Sequence, residues 1–145
     1  MIVKMPSPLR DFQRSKVYEA EKVFVSFTPD PDLIALADLQ EWVDEILSTP
    51  LWQGLLQGPK RIKVKDGRGS KRAWATRKWI KMPRWTRQRG MVLHELAHSC
   101  APKDIAESPH GPEFCSRYLA LVWYHLGERQ RDILQESFDK KEVLY

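Results

Sequence analysis

Arg89-Gly90-Met91-Val92-Leu93-His94-Glu95-Leu96-Ala97-His98-Ser99 is the stretch on which the reading of this chain turns. An α-helix advances about 100° per residue, so positions 94 and 98 lie about 40° apart and one turn along the axis. Their imidazoles can meet at a single ion, each at about 2.0–2.1 Å if that ion is zinc. Glu95 is one step round from His94, close enough to reach a water at the ion without ligating the ion itself. The competing reading is a surface helix with two incidental histidines. Val92, Leu93, Leu96 and Ala97 weigh against it, since they make the helix apolar and therefore buried, and buried imidazoles need partners.

A catalytic zinc takes a third protein ligand and keeps one position open. The chain has four histidines, at 94, 98, 110 and 125. His110 ends a polar, proline-containing loop just ahead of a new helix, which suits a third imidazole swinging onto the ion. Glu113 is its rival, because a carboxylate from a downstream helix can fill the same position. The residues alone leave both open. Ser99 to Asp104 contains neither the glycine nor the histidine of the extended form of the motif.

Working outward, Gly111-Pro112 restarts a helix through about Leu126. Phe114, Tyr118, Leu121, Val122 and His125 share one stripe of it, which reads as packing. His125 is expected to be a hydrogen-bonded core histidine, and Tyr118 and Tyr124 packing residues. Glu128 to Lys140 forms a last helix. Upstream, Thr86 caps the motif helix, which runs to about Cys100. Arg61 to Lys65 and Arg72 to Met82 read as two strands of a hairpin joined through Asp66-Gly67-Arg68-Gly69-Ser70, with Pro83 ending the second. Asp30 caps a helix that has Pro31 in its first position and runs to about Ser48. Its core stripe is Leu33, Leu36, Ala37, Trp42, Val43, Ile46 and Leu47. Lys22 to Phe27 is aromatic and β-branched and reads as a strand, preceded by a surface helix from Leu9 to about Glu21. Helices around a small antiparallel sheet make residues 1–145 a single α+β domain with the motif helix in its core.

The net charge of +5 conceals an asymmetry. Between Lys60 and Gly90 there are 13 Lys and Arg against one acidic residue, Asp66. Such a basic arm meets a polyanion. Trp74, Trp79 and Trp85 interleave with the charges, and exposed indoles stack on unpaired bases, so single-stranded DNA is favoured over duplex. Arg68, Lys71, Arg72, Arg77 and Lys78 are the candidate contacts. Trp74 and Trp79 fall on opposite faces of an unbulged strand, so at least one of them is expected in the core. Cys100 and Cys115 form neither a disulfide framework nor a paired-cysteine zinc motif and read as buried free thiols. No stretch has the roughly 18 to 20 apolar residues that span a bilayer. Met1 to Pro6 lacks the apolar core of a signal peptide, so the expected location is the cytoplasm.

His94-Glu95-Leu96-Ala97-His98 followed by His110-Gly111-Pro112-Glu113-Phe114 resembles the SprT-like (Spartan-like) zinc metalloproteases, in which a third zinc-binding histidine opens an HGxxF segment. The basic hairpin, Met82-Pro83 ahead of the motif helix and the chain size also resemble metallohydrolases of actinobacteria and their phages. The specific match covers about residues 80–118. It implies zinc held by His94, His98 and His110, with Glu95 as general base and Glu113 set aside as a ligand. A metallopeptidase acting on protein, including DNA-associated protein, follows from it. Separate recruitment motifs and a zinc finger have no counterpart here. Two other functions fit the same residues: a narrow-specificity peptidase that inactivates a regulator such as a repressor, or a non-enzymatic nucleic-acid-binding module with a structural zinc. Four protein ligands would favour the last, whereas three and an open position would favour hydrolysis.

Overall fold

The computed structural model describes residues 10–27 and 33–145. Among these residues, five α-helices surround a three-stranded sheet in the order α1 (Arg14–Ser26), α2 (Leu36–Leu47), β1 (Lys63–Asp66), β2 (Trp74–Ala75), β3 (Trp79–Met82), α3 (Arg89–Ser99), α4 (Pro112–Leu126) and α5 (Glu128–Lys140). The architecture is α+β. Among the described residues, no helix is long and apolar enough to cross a membrane.

The segment expected as a strand, Lys22 to Phe27, is the second half of α1. Val17, Ala20, Glu21 and Phe24 recur at helical spacing and are buried together, while Val23 and Phe27 face solvent. The helical period carried in from Val17 outweighs the local preference of valine and phenylalanine for strands. The expected cap at Asp30 and Pro31 lies outside the described residues. α2 buries Leu39, Val43, Ile46 and Leu47, whereas Leu33 and Ala37 are exposed rather than part of the core stripe.

The sheet has the order β1-β3-β2. β1 runs parallel to β3, with Lys63 opposite Trp79 and Lys65 opposite Lys81, and β2 pairs antiparallel with β3. The expected hairpin between the segments 61–65 and 72–82 is therefore not formed. Thr76 is the reason. Its Oγ1 accepts from the amides of Lys78 and Trp79 at 3.1 and 3.2 Å, folding the second segment back on itself as a hairpin of its own. Val64, Ile80 and Met82 point into the core. The outer edge of β1 is closed by Gln40 of α2, which donates to Ile62 O at 3.0 Å and accepts from Val64 N at 2.7 Å.

Thr86 does not cap the motif helix. It is buried in a 3-10 turn, Arg84–Thr86, with its hydroxyl donating to Pro83 O at 2.6 Å, and α3 starts at Arg89 after Gln88. Val92, Leu93, Leu96 and Ala97 bury α3 as expected. α1 crosses its first turn at Gly90, where an added Cβ would stand 2.9 Å from Phe24 Cε1. α4 and α5 meet at Gly127, whose φ of 97° only glycine adopts without strain. The N-terminal approach to α1 is tied to the C-terminus: Gln13 donates to Leu144 O at 2.9 Å and accepts from Leu144 N at 3.0 Å.

Candidate metal centre

Three histidines meet where α1, α3 and the start of α4 converge. The ligand atoms of His94, His98 and His110 lie within 4.8 Å of one another. The Nε2 atoms of His98 and His110 are 3.2 Å apart. Two donors on one tetrahedral zinc at about 2.05 Å would be ~3.3 Å apart, so the His98–His110 pair fits that geometry. Glu113 is exposed and outside the group, so it is His110, not Glu113, that the structure brings to His94 and His98. Phe114 is fully buried beneath all three rings, stacked on His98 at 4.3 Å between centroids and 5.0 and 5.1 Å from His94 and His110. It is a core anchor, as its stripe predicts.

Two carboxylates orient the imidazoles, and neither was legible as functional in the sequence. His94 Nδ1 lies 2.5 Å from Glu21 Oε2, which also accepts from the Tyr118 hydroxyl at 2.8 Å. His110 Nδ1 lies 2.9 Å from Asp11 Oδ2, while the His110 amide donates to Asp11 Oδ1 at 3.2 Å. A carboxylate on Nδ1 fixes the tautomer and presents the other nitrogen to an ion. Tyr118 is thus more than packing: its hydroxyl sits between Glu21 and Gly90 O, the latter at 3.0 Å. The one available signal was a charged residue, Glu21, within an apolar helical stripe.

His94, Glu95, His110 and Glu21 are 3, 6, 5 and 6% exposed, so the site is desolvated. Burial pushes the His94 imidazole down, but the Glu21 and Glu95 carboxylates together outweigh it and hold the group at about 9. Burial raises the Glu95 carboxyl against the pull of His94, with Glu21 adding to the rise, and sets it at about 7. His98 is held well below the usual imidazole range by burial and by His94 and His110. Glu95 Oε2 stands 4.0 Å from His94 Nε2, beside the ligand atoms rather than among them.

The three imidazoles and Glu95 floor a cleft of about 490 Å³. One wall is Ala73, Trp74 and Ala75 at the free edge of the sheet; the other is the loop from Ala101 to His110. Arginines pin that loop. Arg77 donates to Ala101 O at 2.7 Å, and Arg117 donates to Ala97 O at 3.0 Å and pairs with Glu107. A second cavity of about 400 Å³, lined by Tyr18, Arg72, Trp85 and Met91, shares His94 and Glu95 with the first.

The basic arm divides. Arg77 is half-buried in its bond to the loop, and Arg72 lies over the Tyr18 ring at 5.5 Å, beside the metal cleft. Arg68, Lys71 and Lys78 are exposed. Trp74 and Trp79 do not take opposite faces, because the Thr76 turn separates them; their rings meet edge to face at 4.6 Å, and neither is core. Lys65 and Lys81 stand over Trp79 at 5.0 and 4.9 Å, and Lys81 is 5.0 Å from Trp74. His125 is half-buried, and its Nε2 has no hydrogen-bond partner among the described residues, contrary to expectation. Cys100 and Cys115 are buried free thiols, raised by burial to about 11 and about 12. No family model, curated protein or solved structure gives a significant match to this chain.

Proposed function

We propose that this chain is a zinc-dependent metallopeptidase of the SprT-like kind, acting on protein, including protein held on DNA. The observation that carries the reading is the convergence of His94, His98 and His110, with Glu95 beside them, on the floor of an open cleft. Three imidazoles, two of them oriented by carboxylates, are a donor set suited to zinc once His94 gives up its proton. Bound there, zinc would supply Lewis-acid polarisation of a water and of the scissile carbonyl.

The chain's own residues do the rest. Glu95 accepts a proton from the attacking water and returns it to the leaving amine. Glu21 and Asp11 hold His94 and His110 in register, so the donors need no reorganisation during turnover. The free edge of β2 offers backbone pairing to an extended peptide, and the 101–110 loop closes the opposite side. No fourth His, Cys, Asp or Glu joins the cluster among the described residues, which favours hydrolysis over a structural zinc.

One observation supports nucleic acid as a partner. Lys63, Lys65 and Lys81 share the outer sheet face with Trp79 and Trp74, and Trp74 also lines the cleft. Protein bound beside a strand on that face would lie next to Glu95. The decisive experiment measures zinc in purified protein and cleavage of a denatured protein mixture by wild type and Glu95→Gln. About one zinc in both proteins, with activity lower in the variant by about 10² or more, is expected. Zinc-loaded wild type that cleaves neither that mixture nor DNA-bound protein would turn the reading to the binding module.

A further inference from the structure

We infer that Arg14 and Arg72 form a specificity-determining anion clamp beside the metal centre, selecting substrates with an aspartate or glutamate next to the scissile bond. The inference rests on the metallopeptidase reading and names its substrate class. The two arginines come from distant parts of the chain, α1 and the segment leading into β2. Their guanidinium carbons lie 5.6 and 5.5 Å from the centroid of one ring, Tyr18. That ring is itself 5.1 Å from His110 and 5.9 Å from His94, parallel to the latter within 5°. Tyr18 and Arg72 line the cavity that shares His94 and Glu95 with the main cleft.

Arg14 also hydrogen-bonds the Tyr18 hydroxyl, and the remaining N–H donors of Arg14 and those of Arg72 are oriented by the ring for a planar acceptor. Neither arginine has an ion-pair partner among the described residues, and Lys103 on the opposite wall has none either. The acidic groups nearby are already engaged: Glu19 pairs with Lys22, Glu107 with Arg117, and Glu21 with His94. Glu95, the remaining carboxylate of the lining, stands 4.0 Å from His94 Nε2, so Arg72 and Lys103 bring unpaired positive charge to the rim. An extended peptide advances ~3.3 Å per residue, so a carboxylate one or two positions from the reacting carbonyl reaches the clamp. A lysine there would meet like charge.

Acetylated tripeptide hydroxamates carrying glutamate, glutamine or lysine, in two series that place this residue on either side of the zinc-binding group, are titrated calorimetrically into zinc-loaded protein. A fluorescent hexaglutamate peptide reads the clamp without requiring the metal. Wild type should prefer glutamate over glutamine by about tenfold in one series, with the preference falling as salt rises. Arg14→Gln/Arg72→Gln should erase the preference and weaken hexaglutamate binding while zinc content and glutamine-hydroxamate affinity hold. Equal affinities for glutamate and glutamine in both series overturn the clamp. Failure of every hydroxamate, with hexaglutamate still bound through the two arginines, overturns the peptidase reading and leaves the anion site standing. A decathymidylate that loses affinity in the double variant, where glutamate shows no preference, would assign the arginines to nucleic acid and overturn the proposal.

Discussion

Glu21 and His94, 73 positions apart in the chain, are joined by a 2.5 Å contact between a buried carboxylate oxygen and Nδ1. The contact decides which nitrogen of His94 faces its two companions. It also links α1 to the site, because Glu21 lies on the same helical stripe as Val17, Ala20 and Phe24. Burying a carboxylate in that stripe is costly unless it is paired, and His94 with Tyr118 supplies the pairing.

Glu21→Gln should therefore weaken zinc binding by about 10- to 100-fold, the usual cost of losing a carboxylate behind a metal-bound imidazole. Competition with a chromophoric chelator measures it. Tyr118→Phe, which removes one donor from Glu21, should weaken binding less. Unchanged zinc affinity in Glu21→Gln would reduce the carboxylate to a packing partner of α1.

The third ligand gives an ordered prediction. His110→Ala removes an imidazole whose Nε2 stands 3.2 Å from that of His98, whereas Glu113→Ala alters an exposed carboxylate outside the cluster. Zinc retained through dialysis should fall far more in the first variant than in the second. Asp11→Asn should fall between them, since it keeps the shape of the amide contact and loses the charge on Nδ1. The reverse order for His110 and Glu113 would place the metal elsewhere.

The motif helix, the 101–110 loop and the last two helices were legible because each carries its own punctuation: spacing at 94 and 98, Pro112 at a helix start, Gly127 between helices. The orienting carboxylates were not. Asp11 precedes the first helix, and by sequence Glu21 falls at the end of an expected surface helix, before an expected strand. Only long-range contacts reveal them: the packing of α1 beside α3 for Glu21, and the two bonds to His110 for Asp11. The strand pairing is not legible because a threonine side chain, rather than a glycine or proline, makes the turn at Thr76. Local strand propensity gives no warning of that.

Gly90→Ala tests that packing directly. The added methyl carbon would stand 2.9 Å from Phe24 Cε1, close enough that α1 or the ring must shift. Overpacking of this kind costs about 1–3 kcal/mol, to be measured by denaturant unfolding of the zinc-free protein. Displacing α1 also moves Glu21, so zinc affinity should fall in the same variant. Stability equal to wild type would mean that Phe24 leaves room for a methyl group at Gly90.

The outer sheet face provides the test of nucleic-acid binding. Lys63 and Lys65 lie on the sheet face that carries Trp79 and the exposed Trp74, 47% accessible, Lys78 is exposed just ahead of β3, and none of the three lysines lines the metal cleft. Binding to a short thymidylate strand should weaken steeply with salt, because each neutralised phosphate releases counterions and contributes ~0.7 to the slope on a single strand. Changing the three lysines to glutamate should abolish that binding without altering zinc content. Duplex of equal length should bind more weakly, since only unpaired bases offer a free face to Trp74. A salt-insensitive interaction, or none at low ionic strength, would leave the arm as a solvated surface. Equal affinity for single strand and duplex would keep the charges and remove the indole from the contact.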